Sequence, residues 1–137
     1  MILIDANVFM YAAGADHANK QPSLALLRLV GKGDVDAGVD AEVLQEILHR
    51  YRAIDRWQEG REVYDLARRI VPTVVPITAD VVDRARAILD THAQASARDA
   101  LHAAACQVSG AAAICSFDRD FDHLVGVERV EPAEVRR

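Results

Sequence analysis

The first nine residues, Met1-Ile-Leu-Ile-Asp-Ala-Asn-Val-Phe9, begin with an apolar run that stops at an acid. Ile2 to Ile4 reads as a short strand, Asp5-Ala-Asn-Val8 as a turn, and Gln21 to Val30, closed by Gly31 and Gly33, as a helix. The same alternation repeats downstream. Val35 to Val39 is a weak second strand, after which Val43, Leu44, Ile47, Leu48 and Tyr51 recur at helical spacing, and Trp57 to Ile70 forms a further helix stopped before Pro72. Thr73 to Ile77, bracketed by Pro72 and carrying Pro76, suits an edge strand, because proline cannot donate to a sheet ladder. Val81, Val82, Ala85, Ile88 and Leu89 make an apolar helix stripe that Thr78 is placed to cap. Ala97 to Val108 predicts a last helix ending at Gly110, followed by strands at Ala111 to Cys115 and Val127 to Val130. Strands alternating with helices require a mostly parallel sheet covered on both faces. The expected architecture is a three-layer α/β/α sandwich in one domain, residues 1–137.

At 137 residues, 51% hydrophobic and 27% charged, the chain can close a core unaided, so a metal here would serve function and not folding. Cys106 and Cys115 are the only cysteines and form no CxxC, which argues for a reducing compartment and against a zinc ribbon or disulfide scaffold. The apolar start reaches Asp5 too soon for a signal peptide, and no stretch approaches the ~18 apolar residues of a membrane span. The expected location is cytoplasmic, with no membrane insertion. Acidic residues outnumber basic ones 21 to 16, for a formal charge of -5. That sign opposes binding nucleic acid by bulk phosphate neutralisation, but not an enzyme whose carboxylates hold divalent cations that then meet a phosphate. The basic side is 14 Arg and two Lys beside 24 Ala, a bias that genome composition explains as well as function does. No Walker loop, GxSxG elbow or GxGxxG turn is present.

In parallel α/β sheets ligands collect beyond the carboxyl ends of the strands. Asp5 ends the first strand, and Asp118 and Asp120 follow the strand ending near Cys115. Glu46 lies about 60° round its helix from Val43, beside the apolar stripe. Asp99 shares a helix face with His102, Ala103 and Cys106, and the small residues of Asp99-Ala-Leu-His-Ala-Ala-Ala105 let that helix lie close to the sheet. Each acid alone has an ordinary role: an Asx turn or N-cap for Asp5, an i,i+4 pair with Arg50 for Glu46, a capping box with Ser96 for Asp99, a loop cap for Asp118 and Asp120. Together they crowd one predicted sheet edge, where unpaired carboxylates repel and a hard divalent cation is the usual remedy. Carboxylate oxygens without clustered His or Cys select Mg²⁺ or Mn²⁺, and such ions promote phosphodiester hydrolysis.

Leu-Ile-Asp-Ala-Asn-Val-Phe at 3–9, Val-Leu-Gln-Glu-Ile-Leu at 43–48, Ala-Arg-Asp-Ala-Leu-His-Ala-Ala at 97–104 and Ser-Phe-Asp-Arg-Asp-Phe-Asp at 116–122 together resemble the PIN-domain ribonucleases, specifically the VapC toxins of bacterial toxin-antitoxin pairs. The motifs occur in order along the whole chain. The resemblance implies a PIN-like sandwich and a Mg²⁺- or Mn²⁺-dependent endoribonuclease, usually a homodimer, neutralised by a VapB antitoxin whose tail enters the acidic groove. By position, Asp5, Glu46, Asp99 and Asp118 match the acidic quartet of such enzymes, with Asp120 an auxiliary or alternate ligand beside Asp5, Asp99 and Asp118. Asn7 and Ser116 match its supporting polar positions, Ser116 standing where Thr is frequent. Ala6 replaces the commoner Thr or Ser, removing a side-chain hydrogen bond but no ligand. The doubled Asp118-Arg-Asp120 leaves open which acid faces a metal; Asp118 is nearer the strand end.

Arg50, Arg52 and Arg56, interleaved with Tyr51 and Trp57, are candidates for holding RNA phosphates, although nearby acids equally suit a solvated helix pair. The five histidines show no paired ligand spacing; His102, nearest the site, is expected to donate to Asp99. Two other readings compete. One is a PIN-fold binding module that cleaves nothing; the other is an Asp phospho-acceptor domain, which needs a lysine near its pocket, whereas Lys20 and Lys32 lie in the first helical stretch.

Overall fold

The computed structural model describes residues 1–136; Arg137, the last residue of the expected domain, lies outside them. Strands β1 (Ile2–Ile4), β2 (Ala37–Asp40), β3 (Val74–Val75), β4 (Ala113–Cys115) and β5 (Arg129–Val130) form one sheet in the order β3-β2-β1-β4-β5, every neighbouring pair parallel. Helices α1 (Ala6–Ala13), α2 (Lys20–Gly31), α3 (Ala41–Ala53) and α4 (Trp57–Ile70) pack with one core, while α5 (Ala79–Thr91) and α6 (Ala97–Ser109) pack with a second. Strand periodicity explains the division. Ile4, Val39 and Cys115 enter the α1 to α4 core, and the alternate positions Leu3 and Ile114 enter the α5 and α6 core. The expected α/β/α sandwich is the observed fold, with a sheet that is wholly parallel. Among the described residues no helix is long and apolar enough to cross a membrane.

The chain builds outward from β1 to β3 and then returns to the other side of β1 for β4 and β5. Strand order therefore reverses between β1 and β4, where an open crevice forms at the carboxyl ends. Their register pairs Ile4 with Cys115, so Asp5 and Ser116 leave the sheet side by side, and the Asp5 N–H donates to the Cys115 carbonyl at 3.0 Å. Above them, α6 presents Ala100, Ala103, Ala104 and Ala105, all fully buried. Alanine there lets the helix backbone approach the strands closely.

Several elements differ from the sequence expectation. Asp5-Ala-Asn-Val8 is no turn: Asp5 caps an eight-residue helix that buries Ala6, Val8, Phe9 and Ala12. With no loop between β1 and α1, the change from strand to helix periodicity has no punctuating Gly or Pro to reveal it. The second strand begins at Ala37 and runs through Asp40, and the third, fourth and fifth are shorter than their apolar runs. Apolar composition extends further than the ladder, which stops where the partner strand stops. The helix boundaries follow local chemistry: Thr78 and Ser96 cap α5 and α6, and Gly110, at φ 72°, ends α6 by donating to the Cys106 and Gln107 carbonyls.

Helices α3 and α4 meet most tightly at Gly60, where a Cβ would lie 2.5 Å from the Cβ of Tyr51. Gly60→Ala should therefore destabilise the protein by about 1–3 kcal/mol through overpacking, despite alanine's better helix propensity. Gly31, with open space around its Cα, should respond in the opposite sense, gaining up to about 1 kcal/mol as Gly31→Ala. Urea unfolding of the two variants checks both signs, and a neutral Gly60→Ala would show that the helices can separate freely.

Candidate active site

Asp5 is positioned by three elements at once. Its Oδ1 accepts the Ala6 N–H at 2.7 Å, which starts α1, and its Oδ2 accepts the Ser116 hydroxyl at 2.5 Å and the Asn7 amide at 3.3 Å. Asn7 also donates to Ser116 Oγ at 3.1 Å, and that oxygen accepts the Asp118 N–H at 3.0 Å. Ser116, fully buried, thus joins the ends of β1 and β4 and shapes the turn that carries Asp118. Asn7 Oδ1 is buried with no hydrogen-bond partner among the described residues. Burial pushes the Asp5 carboxyl above its ordinary range, against the opposing pull of His102 and the Ser116 hydroxyl.

A second set of acids gathers beside it. Asp99 sits in the first turn of α6, its N–H held by Ser96 Oγ at 3.1 Å. Asp118 caps the short 3-10 turn Arg119–His123 by accepting the Asp120 N–H at 2.9 Å. One oxygen from each of Asp99, Asp118 and Asp120 lies within 4.8 Å of the others. Among the described residues no arginine or lysine forms a salt bridge to any of the three. Burial first, then the neighbouring charge of Asp118, raises the Asp99 carboxyl. The cluster carries uncompensated negative charge.

Glu46 closes the other side. It does not pair with Arg50; its Oε1 meets His102 Nε2 at 2.8 Å and Arg98 Nε at 3.3 Å. His102 does not reach Asp99 as expected, because its Nδ1 faces Asp40 Oδ2 at 2.6 Å. Asp40 ends β2 as Asp5 ends β1 and caps α3 through the Val43 N–H at 3.0 Å. Sequence reading missed it by ending the strand at Val39; the signal was an acid closing Ala-Gly-Val-Asp40, as one closes Ile-Leu-Ile-Asp5. Burial would lower the basicity of His102, but hydrogen bonds to Asp40 and then Glu46 hold it well above the ordinary imidazole range.

Asp5, Asn7, Glu46, Asp99, His102, Asp118 and Asp120 line a cleft of about 690 Å³, with Arg50 and Arg98 at the same surface. Arg52 and Arg56 do not line it: Arg52 stacks over Trp57 at 4.6 Å and Arg56 pairs with Glu59 at 2.7 Å. The donors suit a hard divalent cation. Asp99, Asp118 and Asp120 offer oxygen alone, while burial pushes the Cys115 thiol, at the end of β4, up to about 12. Asp5, Glu46 and His102 form a second group within 4.8 Å that could hold a metal ion. As arranged, however, both ring nitrogens of His102 face carboxylates, and a nitrogen that bears a proton has no lone pair to give.

The PIN domain model matches residues 2–127. VapC ribonuclease Mb1869c of Mycobacterium bovis is 41% identical over 130 residues, covering 95% of this chain and 99% of that protein. Ribonuclease VapC23 of Mycobacterium tuberculosis is 35% identical over 118 residues, covering 86% and 93%. Among solved structures, Mycobacterium tuberculosis VapC20, described as a sarcin-ricin loop cleaving toxin, superposes with a TM-score of 0.73 at 21% identity, covering 93% of this chain and 98% of that one. FitAcB from Neisseria gonorrhoeae gives 0.73 at 16% identity, covering 98% and 100%. Matched along nearly its whole length by the domain model and by relatives of this identity, the chain belongs to the PIN-domain family, among the VapC ribonucleases.

Proposed function

We propose that this protein is a Mg²⁺- or Mn²⁺-dependent endoribonuclease, the toxin of a toxin-antitoxin pair, neutralised by a VapB-type antitoxin and active as a homodimer. The observation that carries the proposal is the Asp99, Asp118 and Asp120 cluster, acidic and without a lysine or arginine partner among the described residues, in one cleft with Asp5 and Glu46. Asp5, Asp99 and Asp118 would hold the cation, with Asp120 as alternate donor, and Asn7 and Ser116 keep Asp5 in register through the bonds described above. When bound, such an ion supplies Lewis-acid stabilisation of the scissile phosphate and a more acidic attacking water. Glu46, with one oxygen held by His102 and Arg98, would use the other to orient an attacking water and accept a proton from it. Arg50, which lines the cleft together with Arg98, would meet a substrate phosphate there. The phospho-acceptor alternative lacks its lysine, since neither Lys20 nor Lys32 lines the cleft and Lys20 is tied to the Gly14 carbonyl.

The decisive experiment is cleavage of total cellular RNA by antitoxin-free protein with Mg²⁺, Mn²⁺ or EDTA, with fragment ends mapped. Discrete cuts that EDTA abolishes and Asp99→Asn removes are expected. Intact RNA from verified folded protein in every metal condition favours the silent binding module.

The raised carboxyls make stability depend on pH with a definite sign. Asp5 and Asp99 hold protons more tightly folded than unfolded, so their contribution is present below the unfolded value near ~4 and is lost as pH rises through the folded values. Metal-free Asp99→Asn should accordingly melt a few degrees above the parent at pH 7 by calorimetry. An equal or lower Tm would mean that the crowded charges cost nothing. Added cation should stabilise the parent by about 2.7 kcal/mol at a free concentration about a hundred times its Kd, and should do much less for the variant.

A further inference from the structure

Asp40 and His102 are almost wholly buried, with side-chain exposures of 2% and 4%, and Asp40 does not line the cleft. Both oxygens of Asp40 are engaged, Oδ1 by the Val43 N–H in the first turn of α3 and Oδ2 by His102 Nδ1. The other ring nitrogen meets Glu46 Oε1. A neutral imidazole has one N–H to donate, so with a carboxylate on each side only the ring protonated on both nitrogens satisfies both partners. Helix α3 carries Glu46, and α6 carries Asp99 three residues before His102. The ring therefore forms the hydrogen-bonded link between the two helices that supply two of the cleft's acids, and it joins them at the carboxyl ends of the strands.

We infer that Asp40 and His102 act as a positioning pair, in which an imidazolium clamped by Asp40 anchors Glu46 through Oε1, leaves Oε2 to the cleft and sets α3 against α6. Neither residue touches the reacting atoms. Arg98, 55% exposed on its side chain, reaches the same Glu46 oxygen from the solvent side and is the weaker of its two anchors. The pair also divides the site's charge. Asp40 and Glu46 are balanced by the ring and Arg98 together, whereas Asp99, Asp118 and Asp120 are left for an external cation. The charge state of the ring stands on the hydrogen-bond geometry alone; its consequence for rate rests on the ribonuclease reading above.

Asp40→Asn tests the pair with little change of shape. Its amide oxygen can still accept the Val43 N–H and cap α3, but its NH₂ then faces His102 Nδ1 and selects the neutral ring with its hydrogen on Nε2. In metal-free protein at pH 7, nitrogen-proton correlation spectra should show hydrogens on both ring nitrogens of His102 in the parent and on Nε2 alone in the variant. In RNA cleavage, Asp40→Asn and His102→Gln should each lower kcat by roughly 10- to 100-fold while KM changes by less than about twofold, the pattern of a displaced Glu46 in an intact groove. A single ring hydrogen in the parent overturns the inference, and so does a variant whose kcat equals the parent's. The spectrum decides the state of the pair even if the parent leaves RNA intact, an outcome that overturns the ribonuclease reading alone.

Discussion

Asp5, Asp40, Asp99 and Asp118 all stand at or within the first turn of a helical segment along one edge of the sheet, so each negative charge is set among backbone N–H groups that helix starts leave unpaired. That placement makes the crowding tolerable. Burial still raises the carboxyls of Asp5 and Asp99, and at Asp99 the neighbouring charge of Asp118 adds to it. On the Glu46 side a buried histidine and an arginine supply compensation; among the described residues no lysine or arginine pairs with Asp99, Asp118 or Asp120. The site is thus divided into a half whose acids meet cationic side chains and a half, among the described residues, whose acids meet none, and the donors of that second half suit a hard cation.

The sheet makes this arrangement possible by its connectivity. Because β1 lies between β2 and β4 and all the strands run the same way, the ends of β1, β2 and β4 deliver Asp5, Asp40 and Ser116 to one edge. Period-two alternation sends Val39 into the α1 to α4 core and leaves Asp40 facing α6, where His102 waits. The alanines of α6 serve the same end, since bulkier residues would hold the helix away from the strands and carry Asp99 and His102 with it.

Sequence legibility followed the range of the interaction. The caps by Thr78 and Ser96, the stop at Gly110 and the span of α4 were readable because the partners lie within a few residues of each other. Asp5, Glu46, Asp99, Asp118 and Asp120 were readable as acids of one sheet edge because strand ends and helix faces are periodic properties, whereas Asn7 and Ser116 entered as supporting positions through the family resemblance. Asp40 was missed because a strand boundary placed one residue early turned a site acid into a loop residue. The partners of His102 lie 62 and 56 positions away, beyond any local pattern, and its expected bond to Asp99 yielded to carboxylates at the end of β2 and on α3.

The sequence by itself determined the alternation of strands and helices, the parallel sheet, the acids that reach its carboxyl edge and the likeness to the PIN-domain ribonucleases, since each is written in residue type, spacing and local capping. Only the tertiary structure decided which acids are paired and which stand alone. That partition depends on the distance between α3 and α6, which close packing of small side chains against a sheet sets and no spacing along the chain encodes.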